Sequence, residues 1–140
     1  VHVTPAEAAI LAETDAAICL CPGSNRYLRV GKAPVRLFLQ HGLRLALGTD
    51  SMASNPELSL WREMNLLSED HPEINPADIF SMATLGGAKA LGIDEHYGSL
   101  ARGKSSRFLS VPLENDIADE TALYNLLVRN SNIQPIWVNG

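Results

Sequence analysis

Short apolar segments alternate with helix-forming stretches along the first two thirds of the chain. Two such segments, residues 16–21 and 43–48, are almost continuous in hydrophobicity and are bounded by turn-forming residues. A predicted helix separates them, which is typical of buried parallel strands joined by βα units. The pattern therefore predicts an α/β fold with a parallel sheet.

Helix starts are marked by a capping residue that is followed by proline. Thr4-Pro5-Ala6-Glu7 has the pattern of a capping box with proline at the first helical position. Asn55-Pro56 and Asn75-Pro76 repeat this pattern, and Gly42 and Gly92 stand where a helix C-terminal cap is expected. The predicted helices cover residues 5–14, 35–41, 58–67 and 77–91.

The pattern changes after residue 95, where we place a domain boundary between residues 1–95 and residues 96–140. The second part opens with a glycine-punctuated turn and contains a polar stretch before its predicted helix. Its predicted elements are a turn at 97–104, a strand at 108–113, a polar stretch at 114–120, a helix at 121–129, and a strand at 133–138 that is closed by Asn139-Gly140.

Composition and charge exclude several classes of protein. The formal net charge of −5 and the pI near 5.3 argue against a nucleic-acid-binding protein, which needs a basic face. No apolar run is long enough to predict a membrane span, and the first residues do not resemble a signal peptide. The two cysteines are too close for an ordinary disulfide between elements, which favours a reducing, cytoplasmic location.

Four polar residues lie just after predicted strands, where parallel α/β folds collect catalytic groups. Asp50 follows the glycine that ends the second strand, and its carboxylate can bind a metal and shuttle a proton, or it can cap its own turn. His2 precedes the first helix and is a catalytic candidate or a surface residue. Ser24 and Asn25 can hydrogen-bond a ligand, but Pro-Gly-Ser-Asn is also a good turn sequence.

The two cysteines, Cys19 and Cys21, share one face of the first strand because side chains alternate along a strand. Two neighbouring thiols can join a metal site, but zinc sites usually have wider ligand spacing and more ligands. We therefore interpret both as small buried core residues.

The motifs together resemble the amidohydrolase superfamily, and in particular its branch of adenosine-type, S-adenosylhomocysteine, guanine and cytosine deaminases and triazine chlorohydrolases. Their order and spacing carry the resemblance over nearly the whole chain. The four stretches are Val1–Thr4, Cys21–Asn25 with Gly31–Pro34, Leu47–Ser51 with Ala53–Asn55, and Met82–Ala88 through Leu91-Gly92 to Gly98–Leu100 and Gly103-Lys104.

The resemblance implies a C-terminal part of a (β/α)8 barrel, from the end of strand six to strand eight, followed by a partial β-sandwich. It implies a Zn²⁺ or Fe²⁺ ion that activates water, with Asp50 as metal ligand and proton shuttle. It also implies that His2 activates water or polarises the substrate, with Ser24 and Asn25 near the substrate. The other metal ligands of the family would precede Val1.

The expected activity of the complete enzyme is hydrolytic deamination of a heterocyclic amine, such as a purine or nucleoside. We expect the 140-residue chain alone to be inactive and to hold no metal. The alternatives are chlorohydrolase-type hydrolysis of a triazine-like ring and a non-catalytic half-barrel that serves as an assembly module. Exposed strand edges would favour homo-oligomers or other association.

Overall fold

A parallel pair of strands lies at the centre of the fold in the computed structural model, which describes residues 1–113, 116–130 and 132–138. Strands β1 (Ala17–Leu20) and β2 (Arg44–Leu47) pair in parallel, with Leu20 opposite Leu47. Helices between the strands make the connection, which confirms the predicted α/β class. The expected closing pair Asn139-Gly140 and part of the polar stretch 114–120 lie outside the described residues.

Helical segments account for most of the remaining regular structure. The helices are α1 (Pro5–Ala12), α2 (Pro22–Leu28), α3 (Val35–Gln40), α4 (Leu60–Asp70), α5 (Pro76–Ser81), α6 (Gly87–Ala90) and α7 (Glu120–Arg129). A π-helical segment, Met82–Gly86, joins α5 to α6, so the predicted helix 77–91 is helical with an altered central turn. No helix in the described ranges combines the length and hydrophobicity that crossing a membrane requires.

A second, antiparallel pair of strands lies in the C-terminal part of the chain. Strand β3 (Phe108–Ser110) pairs with β4 (Ile136–Val138), and Leu109 lies opposite Trp137. Both strands are shorter than the predicted segments 108–113 and 133–138. Strand formation at these two places is confirmed.

The predicted capping signals are mostly confirmed. Thr4 Oγ1 accepts from the Glu7 backbone N–H at 3.3 Å, and Glu7 Oε2 accepts from the Thr4 N–H at 2.8 Å, which completes the capping box. The Asn75 side chain accepts from the Ala77 N–H at 3.0 Å ahead of α5. Gly42 adopts a left-handed φ of 65° after α3, as a C-terminal cap requires.

The predicted cap at Asn55 is wrong. Helix α4 begins at Leu60, and its N-cap is Ser59, whose Oγ accepts from the Arg62 N–H at 3.3 Å. Asn55 is fully buried and its side chain is committed to a tertiary network described below. Asn55 Oδ1 still accepts from the Glu57 backbone N–H at 3.3 Å, but no helix begins there.

One helix was not predicted. Pro22-Gly23-Ser24-Asn25 is the first turn of α2 and not a free turn, with Pro22 at the first helical position. Proline is favoured there because its missing N–H has no partner in a first helical turn. The same residues favour turns, which is why the local sequence predicted a turn here.

The hydrophobic core lies between the parallel strands and the helices that cover one of their faces. Val35, Ile79 and Val128 are fully buried within it. Helix α7 packs against α4 and α5, so residues beyond the predicted boundary contribute to the same core. The division at residue 95 stays a prediction.

The interpretation of the two cysteines as core residues is wrong. Ile18 and Leu20 of β1 face the core, and alternation places Cys19 and Cys21 on the opposite face. Cys19 is exposed and Cys21 is half-buried, and both are free thiols. Ala46, which pairs with Cys19 and shares its face, is nevertheless buried.

Candidate functional site

A carboxylate and two serine hydroxyls meet where the parallel strands end. Ser24, in the first turn after β1, donates from Oγ to Asp50 Oδ2 at 2.7 Å. Ser54 donates from Oγ to the same oxygen at 2.8 Å. The structure thus brings together two of the four residues that the sequence placed at strand ends.

The backbone of Asp50 is unusual. Its φ of 59° lies in the left-handed region, which costs a residue with a Cβ on the order of 1–2 kcal/mol, although aspartate tolerates it better than most. The observed hydrogen bonds to its carboxylate come from the hydroxyls of Ser24 and Ser54. Asp50 therefore presents its carboxylate to the neighbouring strand end.

Hydrogen bonding keeps Asp50 ionised. The Ser24 hydroxyl, and after it the Ser54 hydroxyl and the Ser51 N–H, lower the pKa of the Asp50 carboxyl from its ordinary value of 3.8. Both serines use Oδ2, and neither uses Oδ1. A charged carboxylate whose orientation is fixed by its neighbours has the chemistry of a metal ligand or of a general base.

A second carboxylate, Glu63, is fully buried beneath this site. Its Oε2 accepts from the Gly23 backbone N–H at 2.7 Å, and its Oε1 accepts from Asn55 Nδ2 at 2.7 Å. The guanidinium of Arg62 lies 3.8 Å from Oε1. Glu63 thereby joins α4 to both strand-end segments.

Asn55 extends this network to the residue before Asp50. Its Nδ2 also donates to the Thr49 carbonyl at 2.8 Å, and its Oδ1 accepts from the Arg62 guanidinium at 3.0 Å. Thr49, which precedes Asp50, and Gly23, which precedes Ser24, are therefore both held by one buried network of hydrogen bonds.

Gly23 is required by close packing at this point. A Cβ added to Gly23 would collide with Glu63 Oε1 and would lie 2.8 Å from Asn55 Nδ2. The local sequence pattern did not predict the buried pair of Glu63 and Asn55. The available signal was a charged residue on an apolar helix face, because Glu63 lies one helical turn before the buried Leu67.

The remaining two candidates lie outside this cluster. His2 is exposed and lines a surface cavity of about 340 Å³ with residues of α1, among them Ile10 and Leu11. No hydrogen bond or ion pair in the described ranges joins His2 to Asp50. Asn25 is half-buried in the first turn of α2.

A larger cavity of about 730 Å³ lies elsewhere in the molecule. It is mainly apolar and is lined by side chains of α4, α7 and the π-helical segment, together with residues 96–113. None of the four candidate residues lines it. The strand-end cluster and this cavity are therefore separate features.

Asp50 fits one position of a metal coordination shell. Within the described residues, no three His, Cys, Asp or Glu side chains are placed to hold a metal ion together. A protein metal site of the zinc type needs about three or four protein ligands. The described residues thus supply one oriented carboxylate and not a complete shell.

The whole chain, residues 1–140, matches the Amidohydrolase family, and the chain belongs to that family. A 5-methylthioadenosine/S-adenosylhomocysteine deaminase of Moorella thermoacetica is 36% identical, and the match covers 100% of this chain and 35% of the relative. An S-triazine hydrolase of Gordonia rubripertincta is 29% identical, with 100% of this chain and 32% of the relative covered. The family resemblance inferred from the motifs is confirmed.

Solved structures agree on the fold. A zinc-bound adenosine deaminase from Xanthomonas campestris superposes with a TM-score of 0.78 at 28% identity, covering 94% of this chain and 33% of that protein. The chain spans about a third of the length of the relatives it matches. The chain therefore has the fold of part of an amidohydrolase TIM barrel.

Replacing Glu63 with Gln is expected to destabilise the chain by about 1–3 kcal/mol. The substitution replaces one of two buried acceptor oxygens with an NH₂ group that faces an N–H donor, so buried donors are left unpaired. Urea unfolding followed by circular dichroism measures the change. The control is Glu69→Gln on the same helix, which removes an exposed ion pair with Arg26 and should cost less than about 0.5 kcal/mol. Equal effects of both variants would contradict the assigned role of Glu63.

The contribution of Asp50 to stability is expected to disappear in acid. Its folded-state pKa lies below the unfolded value, so the stabilisation is present above the ordinary pKa of 3.8 and is lost as the pH falls through the folded pKa. The difference in unfolding free energy between the wild type and Asp50→Asn should therefore be larger at about pH 6 than at about pH 2.5. Asp15→Asn, at a fully exposed carboxylate, controls for the loss of one negative charge. A difference independent of pH would rule out this coupling.

Proposed function

We propose that this chain is part of a metal-dependent hydrolase that deaminates a heterocyclic amine of the purine or nucleoside kind. The observation that carries the proposal is the Asp50 carboxylate, held ionised at the end of β2 by Ser24 and Ser54. The proposal is supported by the relative from Moorella, whose name gives 5-methylthioadenosine and S-adenosylhomocysteine as its substrates.

Each candidate residue has a proposed role. Asp50 binds the metal and moves a proton, and His2 activates water or polarises the substrate. A zinc ion, which is present in the adenosine deaminase from Xanthomonas, would supply activated water when bound, and iron is the alternative. The remaining ligands would come from other strands of a (β/α)8 barrel.

The positions of these residues follow from the proposed barrel register. His2 would end strand six, Ser24 and Asn25 would follow strand seven, and Asp50 would end strand eight. Residues 1–95 would belong to the barrel and residues 96–140 to a flanking β-sandwich.

Ser24 has a more specific role than the general substrate contact that the sequence suggested. Its buried hydroxyl donates to Asp50, so we propose that it orients this carboxylate. Asn25, which is half-buried beside it, remains the candidate for substrate contact.

Hydrolysis of a triazine-like ring is the second candidate reaction. It is supported by the S-triazine hydrolase from Gordonia, whose match also extends over all of this chain. The two reactions share metal-activated water and differ in the leaving group, which is ammonia or chloride. Association through strand edges, a role as an assembly module and a cytoplasmic location stay predictions.

Asp50 is expected to be essential in a chimera in which residues 1–140 replace the corresponding third of the Moorella deaminase. The chimera should release ammonia from 5-methylthioadenosine, and Asp50→Ala should lower kcat/KM on the order of 10³-fold or more because a metal ligand is lost. Ser24→Ala should lower activity or metal affinity about 10–100-fold, as expected for a residue that orients a ligand.

The control for the chimera is Asp15→Asn, which removes an exposed carboxylate next to β1 and should leave activity unchanged. Zinc content is measured on each purified variant by atomic emission. An Asp50→Ala chimera with near-normal turnover and zinc content would contradict the proposed role of Asp50. Release of chloride from a chlorotriazine without deamination would favour the second reaction.

The 140-residue chain by itself is expected to release no ammonia from 5-methylthioadenosine, even with zinc added. The physical reason is that one oriented carboxylate does not form a metal shell of three or four ligands. A coupled glutamate dehydrogenase assay measures the ammonia. Turnover by the purified chain that is abolished by a chelator would show that this chain assembles a metal site by itself.

A further inference from the structure

Glu63 is linked to both Ser24 and Asp50 through the backbone. Its Oε2 accepts from the N–H of the residue before Ser24 at 2.7 Å. Its Oε1 accepts from Asn55 Nδ2, which also donates to the carbonyl of the residue before Asp50 at 2.8 Å. No hydrogen bond in the described ranges joins Glu63 directly to Ser24 or to Asp50. Glu63 therefore contacts the strand-end cluster only through the two backbone segments that carry it.

The contact between these two segments tolerates little displacement. Ser24 Oγ lies 2.7 Å from Asp50 Oδ2, and a hydrogen bond between two oxygen atoms is normally no longer than about 3.0 Å. A relative shift of the segments by about 0.5 Å would therefore take this contact out of the normal range. The other donor, Ser54, lies in the same loop as Asp50. The contact from Ser24 is therefore the one that fixes the carboxylate relative to the neighbouring strand end.

The buried position of Glu63 makes this link stiff. Glu63 and Asn55 are both fully buried, so a segment that moves away leaves a carboxylate oxygen unpaired and away from water. A second link holds α2 on α4, where the Arg26 guanidinium pairs with Asp70 at 2.8 Å. That link lies further along α2 and its Arg26 side chain is partly exposed, whereas the link through Glu63 is buried and adjoins Ser24. Glu63 is therefore the residue best placed to control the position of Ser24.

We propose that Glu63 is a positioning residue for the hydrolytic reaction, because it fixes the contact between Ser24 and Asp50 and so sets the orientation of the Asp50 carboxylate. This inference rests on the proposed function, in which Asp50 is a metal ligand. A residue that orients a metal ligand affects metal affinity and turnover more than substrate binding. A role in stability alone would instead lower the amount of folded protein and leave the turnover of the folded enzyme unchanged.

The first test is a double-mutant cycle on the urea unfolding of the 140-residue chain. Ser24→Ala removes the hydroxyl that donates to Asp50, so its effect measures how well that contact is formed. The change that it causes in the unfolding equilibrium constant should be at least about twofold smaller in Glu63→Gln than in the wild type. Ile79→Val, at a buried apolar residue of α5, is the control background and should leave the effect of Ser24→Ala unchanged. An equal effect in Glu63→Gln and in the wild type would overturn the proposal.

The second test uses the chimera with the Moorella deaminase. Glu63→Gln should lower both kcat for 5-methylthioadenosine and zinc affinity about 10–100-fold, with little change in KM. Zinc affinity is measured by competition with a chromogenic chelator, and Ile79→Val should change neither quantity. If Glu63→Gln does not fold, Asn55→Ala takes its place in both tests with the same expectation, because it removes the link to the segment before Asp50.

The two tests separate the positioning role from the proposed function. A wild-type chimera that neither binds zinc nor releases ammonia would contradict the proposed function, and the cycle in the 140-residue chain then decides whether Glu63 fixes the contact between Ser24 and Asp50. An active wild-type chimera whose Glu63→Gln variant keeps full kcat and zinc affinity would overturn the positioning role and leave the proposed function intact.

Discussion

The buried carboxylate of Glu63 is the interaction on which the strand-end site depends. A buried charge is costly unless it is hydrogen-bonded, and here each carboxylate oxygen accepts a hydrogen bond of 2.7 Å. One donor belongs to the segment after β1 and the other to the segment after β2. The cost of burying Glu63 is therefore offset only when both segments are in place, which makes their mutual position a condition of stable folding.

Asp50 shows how a turn residue becomes a candidate ligand. Its backbone is left-handed, and Ser24 and Ser54 both donate to its carboxylate. Ser54 is a local donor, and Ser24 comes from across the strand pair. Strain that is retained at such a position is typical of functional sites, where surrounding contacts fix an otherwise rare conformation.

The features that the sequence predicted correctly depend on short-range physics. The capping box at Thr4 requires only neighbouring residues, and the two strands were predicted from the local run of apolar residues in each; both features are found. The burial of Glu63 depends on Gly23, 40 positions away, and the Asn55 side chain is used mainly by Thr49, Arg62 and Glu63, six to eight positions away, so neither was predicted from local pattern. Burial of Cys19 was mispredicted because alternation identifies a common face but not which face the helices cover.

The hydrogen bond between Gly23 and Glu63 joins residues that are 40 positions apart, and the bond between Ser24 and Asp50 spans 26. Such contacts require long loops to close, which costs more chain entropy than the local contacts of the capped helices. Undocking of α4 would release both strand-end segments in a single opening event. A ligand that binds only the assembled cluster must therefore raise the free energy of that opening. Binding at Asp50 would then increase the hydrogen-exchange protection of α4, although α4 does not touch the ligand.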